Sequence, residues 1–324
     1  MKAILSEKCG QPETLVLADI DAPQPGPGEV VIDVAAAALN FFDTLIIEDK
    51  YQFKPERPFS PGAEVAGHIS SIGSGVEGLG AGDAVMAYTA WNGCREQVVV
   101  NANVAVPLPD GFDMATASGL TVTYGTTLHA LRDRADLKPG ETLAVLGASG
   151  GVGQAAVEIG RAMGARVIAC ASSPEKLEIC RTLGADELLN YREQDLKNGL
   201  KELTGGKGAD VVYDPVGGPL AEAALRATAW EGRFLVIGFA AGEIPRIPLN
   251  LVLLKGCSVI GVFWGSFVER TPERHRANMQ MLIDWCSEGK VKPIVDKVFP
   301  LTETTSALNV LANREAKGKV VIEM

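Results

Sequence analysis

The stretch Leu143–Gly153 reads LAVLGASGGVG: an apolar run, a glycine-rich turn, then Val152–Met163, whose apolar spacing predicts a helix ending before Gly164. No other part of the chain restricts the fold as much. A buried strand that turns through glycines into a helix leaves first-turn N–H groups pointing outward with partial positive charge, which makes an anion site. The same pattern then repeats. ARVIAC (Ala165–Cys170) reads as the next strand, and Pro174–Leu183 as a helix with proline in its first turn. ELLNY, Glu193–Leu203, ADVVYD, Pro219–Ala227 and RFLVIG continue the alternation, and CSVIGVF (Cys257–Phe263) adds a further strand. Alternating strands and helices imply right-handed crossovers and a doubly wound parallel sheet.

Within the turn, Ala148, Gly150 and Gly153 hold the glycine positions of G-x-G-x-x-G, with Ser149, Gly151 and Val152 between them. Gly150 lets a pyrophosphate approach and Gly153 lets the helix pack on the sheet, so these residues are expected to bind a dinucleotide. An NAD site carries an acid at the end of the second strand. Here Cys170–Lys176 reads CASSPEK, and Glu175 already lies on the helix behind Pro174. An acid would repel a 2′-phosphate, whereas Ser172, Ser173 and Lys176 can bind one. NADPH is therefore the expected cofactor, and Tyr191, after the third strand, can reach the same phosphate. The competing reading makes a serine the N-cap and Lys176 a solvated helix residue.

The segment before Thr121 differs. Short apolar stretches (Glu29–Val34, Val65–Ser71, Ala84–Ala87, Gln97–Val100) alternate with turn-rich PQPGPGE and GSGVEGLGAGD, which predicts an antiparallel, barrel-like domain. After a helical stretch at Glu273–Ser287, the tail resumes that character with VKPIVDKVFPL and KVVIEM. The chain thus reads as α/β, with residues 1–121 and 262–324 forming a β-rich domain around an inserted dinucleotide domain, 122–261. A formal net charge of −10 argues against nucleic acid or an anionic membrane as partner. No run of ~18 apolar residues predicts a membrane span, and MKAILSEKCGQPETL lacks a secretory apolar core, so a cytoplasmic location is expected. The six cysteines are scattered without C-x-x-C, and none of His68, His129 and His275 lies close to one in sequence, so a metal site would need long-range convergence.

NFFD (Asn40–Asp43), PGAEVAG (Pro61–Gly67), GASGGVG, NYRE (Asn190–Glu193) and YDPVGG (Tyr213–Gly218), in this order, resemble the zinc-free, zeta-crystallin-like quinone oxidoreductases of the medium-chain dehydrogenase/reductase superfamily. The resemblance spans nearly the whole chain. It implies a GroES-like catalytic domain, a Rossmann domain, NADPH, and a homodimer or homotetramer. Zinc relatives carry a cysteine ligand where Asn40 stands and a histidine in G-H-E, which reads Gly62-Ala63-Glu64 here. Without a Lewis acid, activating a simple alcohol is difficult, and an already electrophilic acceptor is favoured.

The resemblance puts Asn40 and Asp43 beside the nicotinamide, although Asn40 also reads as a turn residue and Asp43 as the cap of a helix starting at Thr44. Tyr51 matches a cleft tyrosine and can donate to a developing oxyanion, or is a surface aromatic; a second such tyrosine is Leu45 here. Thr121 matches a threonine near the carboxamide. Val216, Gly238, Phe239 and Phe263 are expected along the cofactor, and Lys319 either reaches it or flanks a strand. Glu64 reads as structural or electrostatic, and Cys94 and His129 as packing residues. The expected reaction is metal-free hydride transfer from NADPH to a quinone or similar acceptor. The alternatives are reduction of an enone or enoyl thioester, for which Arg246, Arg270, Arg274 and Arg276 offer a basic rim, and non-catalytic NADPH binding.

Overall fold

The computed structural model describes the whole chain, Met1–Met324, as two compact units. Met1–Gly125, Gly265–Asp284 and Pro293–Met324 form the first, and Thr126–Trp264 with Trp285–Lys292 forms the second.

In the first unit β1 (Lys2–Leu5) and β2 (Val16–Asp19) make a small antiparallel pair. The main sheet comprises β3 (Glu29–Leu39), β4 (Glu64–Ile72), β5 (Ala84–Tyr88), β6 (Gln97–Asn101), β7 (Ala105–Pro107), β14 (Val295–Pro300) and β15 (Lys319–Glu323). Its order is β14-β15-β3-β4-β5-β7, with β6 also paired to β3. Only β14 and β15 run parallel. The register of β3 against β4 shifts after Val31 and after Val34, and such bulges bend a strand enough to curl a sheet around its core. Val30, Ile32, Val34, Leu39, Val65, Ile69, Val85 and Ile322 fill that core. Val320 pairs with Leu39 and Glu64 with Ala38, so Lys319, Asn40 and Glu64 arrive side by side at one end of neighbouring strands.

The second unit has six parallel strands: β8 (Thr142–Leu146), β9 (Arg166–Ala171), β10 (Glu187–Asn190), β11 (Ala209–Asp214), β12 (Thr228–Val236) and β13 (Ser258–Gly261). The order β10-β9-β8-β11-β12-β13 reverses direction between β8 and β11, the switch point at which ligands bind in open α/β sheets. Leu143–Leu146 are fully buried, as a strand covered on both faces requires. Two expected boundaries move. The helix read over Glu193–Leu203 begins at Leu196, because Asp195 accepts from Asn198 N–H as N-cap and the preceding turn is tied to Asn190. The strand read as RFLVIG begins at Thr228, because a bulge with Glu231 at φ 58 lies between its two paired parts. No helix is long and apolar enough to cross a membrane.

Candidate functional site

In the second unit the glycine turn is held by its own backbone. Gly147 takes φ 57, Gly150 N–H donates to Gly147 O at 3.0 Å, and Gly150 is the N-cap of the helix Gly151–Ala162, one residue earlier than expected. Gln154 fixes the loop by donating from Nε2 to Ser149 O at 2.8 Å. Ala148 is fully buried, whereas Gly150 and Gly151 are exposed. The first-turn N–H groups of Gly151–Gly153 are those an α-helix leaves without intrahelical acceptors. A Cβ on Gly153 would lie 2.3 Å from Gly147 O, so only glycine lets the helix start this close to the strand. On Gly150 the nearest atom would be 3.4 Å away, which leaves the turn open on its outer side.

The other residues expected around a cofactor follow the C-terminal ends of the same parallel strands. Ser172 and Lys176 approach each other at 3.5 Å, and Ser173 caps the helix Pro174–Thr182, accepting from Lys176 N–H. A bond from Ser173 also holds the exposed Glu175 carboxyl below its usual range. Tyr191 N–H donates to Ala171 O, which ties the end of β10 next to Ser172. After β11, Asp214 accepts from Val216 and Gly217 N–H at 2.8 and 2.9 Å; burial pushes its carboxyl up against these two bonds. Val216 lies against Gly147, and Phe239 against Gly217. Gly238 N–H turns back to Asp214 O after β12, and Phe263 stands exposed after β13.

In the first unit a buried polar cluster sits where β3 ends and β4 and β15 begin. Lys319 Nζ donates to Glu64 Oε1 at 2.7 Å, Asn40 Oδ1 at 2.8 Å and Leu39 O at 3.3 Å. Its three hydrogens are thus committed inside the unit. Asn40 Nδ2 donates to Glu64 Oε1 at 2.8 Å, and Val122 N–H to Glu64 Oε2 at 2.6 Å. Thr121, one residue before that anchor, is buried with an Oγ1 that has no hydrogen-bond partner.

Asp43 does not cap a helix starting at Thr44. The helix is Phe41–Ile46, Asn40 is its N-cap residue, and Asp43 reaches back to Asn40 N–H at 2.7 Å. Its other oxygen accepts from Gly62 N–H at 3.0 Å. Burial pushes this carboxyl up to about 7, although both backbone bonds pull it down. A folded-state pKa above the unfolded value means the native chain binds more protons between about pH 4 and 7, so stability contributed at Asp43 falls as pH rises through that window. The urea-unfolding stability of the unaltered protein minus that of Asp43→Asn should slope down from pH 4 to pH 7 and flatten above. A difference independent of pH would mean that Asp43 titrates in the ordinary range.

Tyr51 is half-buried and stacks on Phe42, ring centroids 5.1 Å apart, with the Phe53 ring tilted against it at 6.2 Å. Burial, then the Asp43 charge, raises its hydroxyl pKa and keeps it a donor. Leu45 is half-buried on the adjacent helix. Cys94 is fully buried with its thiol pushed up by burial, and the buried His129 Nδ1 pairs with Asp133 Oδ2 at 2.9 Å. Tyr88 was not singled out by any sequence pattern. It pairs with Glu64 across β4 and β5, and burial raises its hydroxyl pKa, with Tyr51, Glu269, Asp43 and Glu64 adding to the effect. Only the strand register reveals it. No group of three or more His, Cys, Asp or Glu side chains is placed to hold a metal ion.

Residues 26–131 match the alcohol dehydrogenase GroES-like domain and residues 151–287 the zinc-binding dehydrogenase family. The chain is 35% identical to quinone oxidoreductase-like protein 2 homolog of Nematostella vectensis over 99% of its length and 88% of that protein. The Escherichia coli quinone oxidoreductase complexed with NADPH superimposes with a TM-score of 0.92 at 29% identity, covering 100% of both chains. The CurK enoyl reductase superimposes with a TM-score of 0.90 at 28% identity, covering 100% of this chain and 99% of that one. Motifs, fold and relatives agree: the chain belongs to the zinc-free quinone oxidoreductase branch of the medium-chain dehydrogenase/reductase superfamily.

Proposed function

We propose that this protein is an NADPH-dependent quinone oxidoreductase that works without a metal. The observation that carries the reading is the buried Asn40–Glu64–Lys319 cluster, a neutral carboxamide held by an ion pair at a position where zinc relatives carry a ligand. Asn40 and Ala63 offer neither thiolate nor imidazole, the donors zinc prefers. Within the second unit the residues present fit the cofactor's phosphates: an open glycine turn, and Ser172 with Lys176 for a 2′-phosphate. Bound NADPH supplies a hydride from its reduced nicotinamide.

In this reading Asn40 and Tyr51 donate to the acceptor oxygen, which gains an electron pair as the hydride is taken up; a solvent proton completes reduction to the hydroquinone. Asp43, sealed from solvent, acts through the Asn40 and Gly62 backbone that it holds. NADPH oxidation in the presence of a zinc chelator, screened across quinones, enones and enoyl-CoAs, tests the assignment. Turnover confined to thioesters would replace it with enoyl-thioester reduction, the second reading, which the likeness to CurK enoyl reductase favours. Binding of NADPH with no turnover of any acceptor would favour a non-catalytic role.

For the cofactor, NADPH should bind more than about tenfold tighter than NADH, and Lys176→Ala should narrow the gap because it removes one charge from the phosphate. Equal affinities of the unaltered protein for the two would rule out the 2′-phosphate assignment. For assembly, β13 is an edge strand, and Leu249, Leu253 and Leu254, on the helix that precedes it in the chain, are exposed, Leu253 by 80%. An open strand edge together with exposed apolar surface suits a second copy of the chain about a two-fold axis, which supports a homodimer. Sedimentation should give a dimer that Leu253→Asp dissociates; a monomeric unaltered protein would exclude this interface.

A further inference from the structure

The Asn40 carboxamide has its oxygen on an ammonium and its nitrogen on a carboxylate. Oδ1 lies 2.8 Å from Lys319 Nζ, and Nδ2 lies 2.8 Å from Glu64 Oε1. Turning the amide over would set N–H groups against the ammonium and the carbonyl against the carboxylate, exchanging two charge-assisted bonds for two repulsions. The orientation is therefore dictated by charge. One Nδ2 hydrogen is spent on Glu64, so one N–H remains. Neither member of the pair can easily relax. All three Lys319 hydrogens are engaged, and Glu64 Oε2 is pinned by Val122 N–H. Lys319 opens β15, Glu64 opens β4 and Asn40 follows β3, three adjacent strands of one sheet. Gly119 gives the lysine stem its path, since a Cβ there would meet Lys319 Cγ at 2.9 Å.

We propose that Glu64 and Lys319 are positioning residues that lock the Asn40 carboxamide so that it presents a single N–H donor to the acceptor oxygen. This rests on the reductase reading above and adds to it how the donor is made. Bound NADPH would supply the hydride and be left as NADP+; the electron pair displaced in the acceptor would move onto its oxygen, and a water would give that oxygen its proton and leave as hydroxide. A donor already fixed before the charge appears strengthens as that oxygen becomes anionic, so its loss falls on kcat more than on KM.

The test compares Asn40→Ala, the charge-free double variant Glu64→Gln/Lys319→Met, and the triple combination, with NADPH and 1,4-benzoquinone. Asn40→Ala and the double variant should each lower kcat about a hundredfold, with acceptor KM changed less than about threefold. The triple variant should be no slower than Asn40→Ala by more than about twofold, because both changes remove the same donor. Side-chain amide NMR of the 15N-labelled protein gives a readout apart from turnover. The Asn40 signals, assigned by their loss in Asn40→Ala, should be a well-separated, slowly exchanging proton pair that collapses in the double variant. An unchanged kcat in the double variant, multiplying losses in the triple, or an unaltered Asn40 proton pair in the double would each overturn the proposal. If the unaltered protein reduces no acceptor, the reductase reading falls, while the amide signals still decide whether the pair locks Asn40.

Discussion

Gly153→Ala is expected to cost about 3 kcal/mol of stability and to weaken NADPH binding more than about tenfold. The added methyl would sit 2.3 Å from Gly147 O and 2.7 Å from Ala148 Cα, which are backbone atoms of the turn and cannot rotate away. Either the helix lifts from β8 or the turn opens, and both would disperse the first-turn N–H groups proposed to hold the cofactor's phosphates. Gly150→Ala is the control. Its methyl would meet only Gly147 O at 3.4 Å, and its φ of −81° suits alanine, so stability should stay within about 1 kcal/mol. NADPH binding should still weaken, because the methyl occupies the open side of the turn. Urea unfolding and NADPH fluorescence titration separate the two effects; equal stabilities for both variants would contradict the packing argument.

Lys319→Met should destabilise the protein by about 3–5 kcal/mol, because it strands a fully buried Glu64 without its cation. Adding Glu64→Gln removes the stranded charge, and the double variant should recover at least about 2 kcal/mol. Urea unfolding of both single variants and the double measures this coupling; simple additivity would mean the ion pair is not one unit. Recovered stability without recovered turnover would separate the folding role of the pair from its role in orienting Asn40.

The second unit was more legible in the sequence than the first. Its strands are short apolar runs separated by helices, and the glycine turn marks where they begin, so local pattern and topology coincide. The errors fell where local bonds override the pattern: Asp195 capping a helix late, a bulge at Glu231 starting β12 early, and Asn40 opening a helix at Phe41 where Thr44 was expected. In the first unit the residues of the polar cluster were picked out singly, with roles left open between turn, cap and strand flank. Nothing within a window of sequence relates Asn40 to Lys319, 279 positions away, or Glu64 to Tyr88.

Residue order alone sets the alternation of strands and helices, the glycine turn, the serines and lysine after β9, and the residues that stand where zinc relatives carry ligands. These are local choices of residue, set by side-chain chemistry and by the backbone each residue permits. What Lys319 and Glu64 touch follows instead from the pairing of distant strands. Antiparallel register carried the two charges to the end of β3, and their burial made them hold Asn40 in one orientation. An ion pair of this kind exists only once non-neighbouring strands have paired and excluded water, which strengthens its fields and fixes its geometry together.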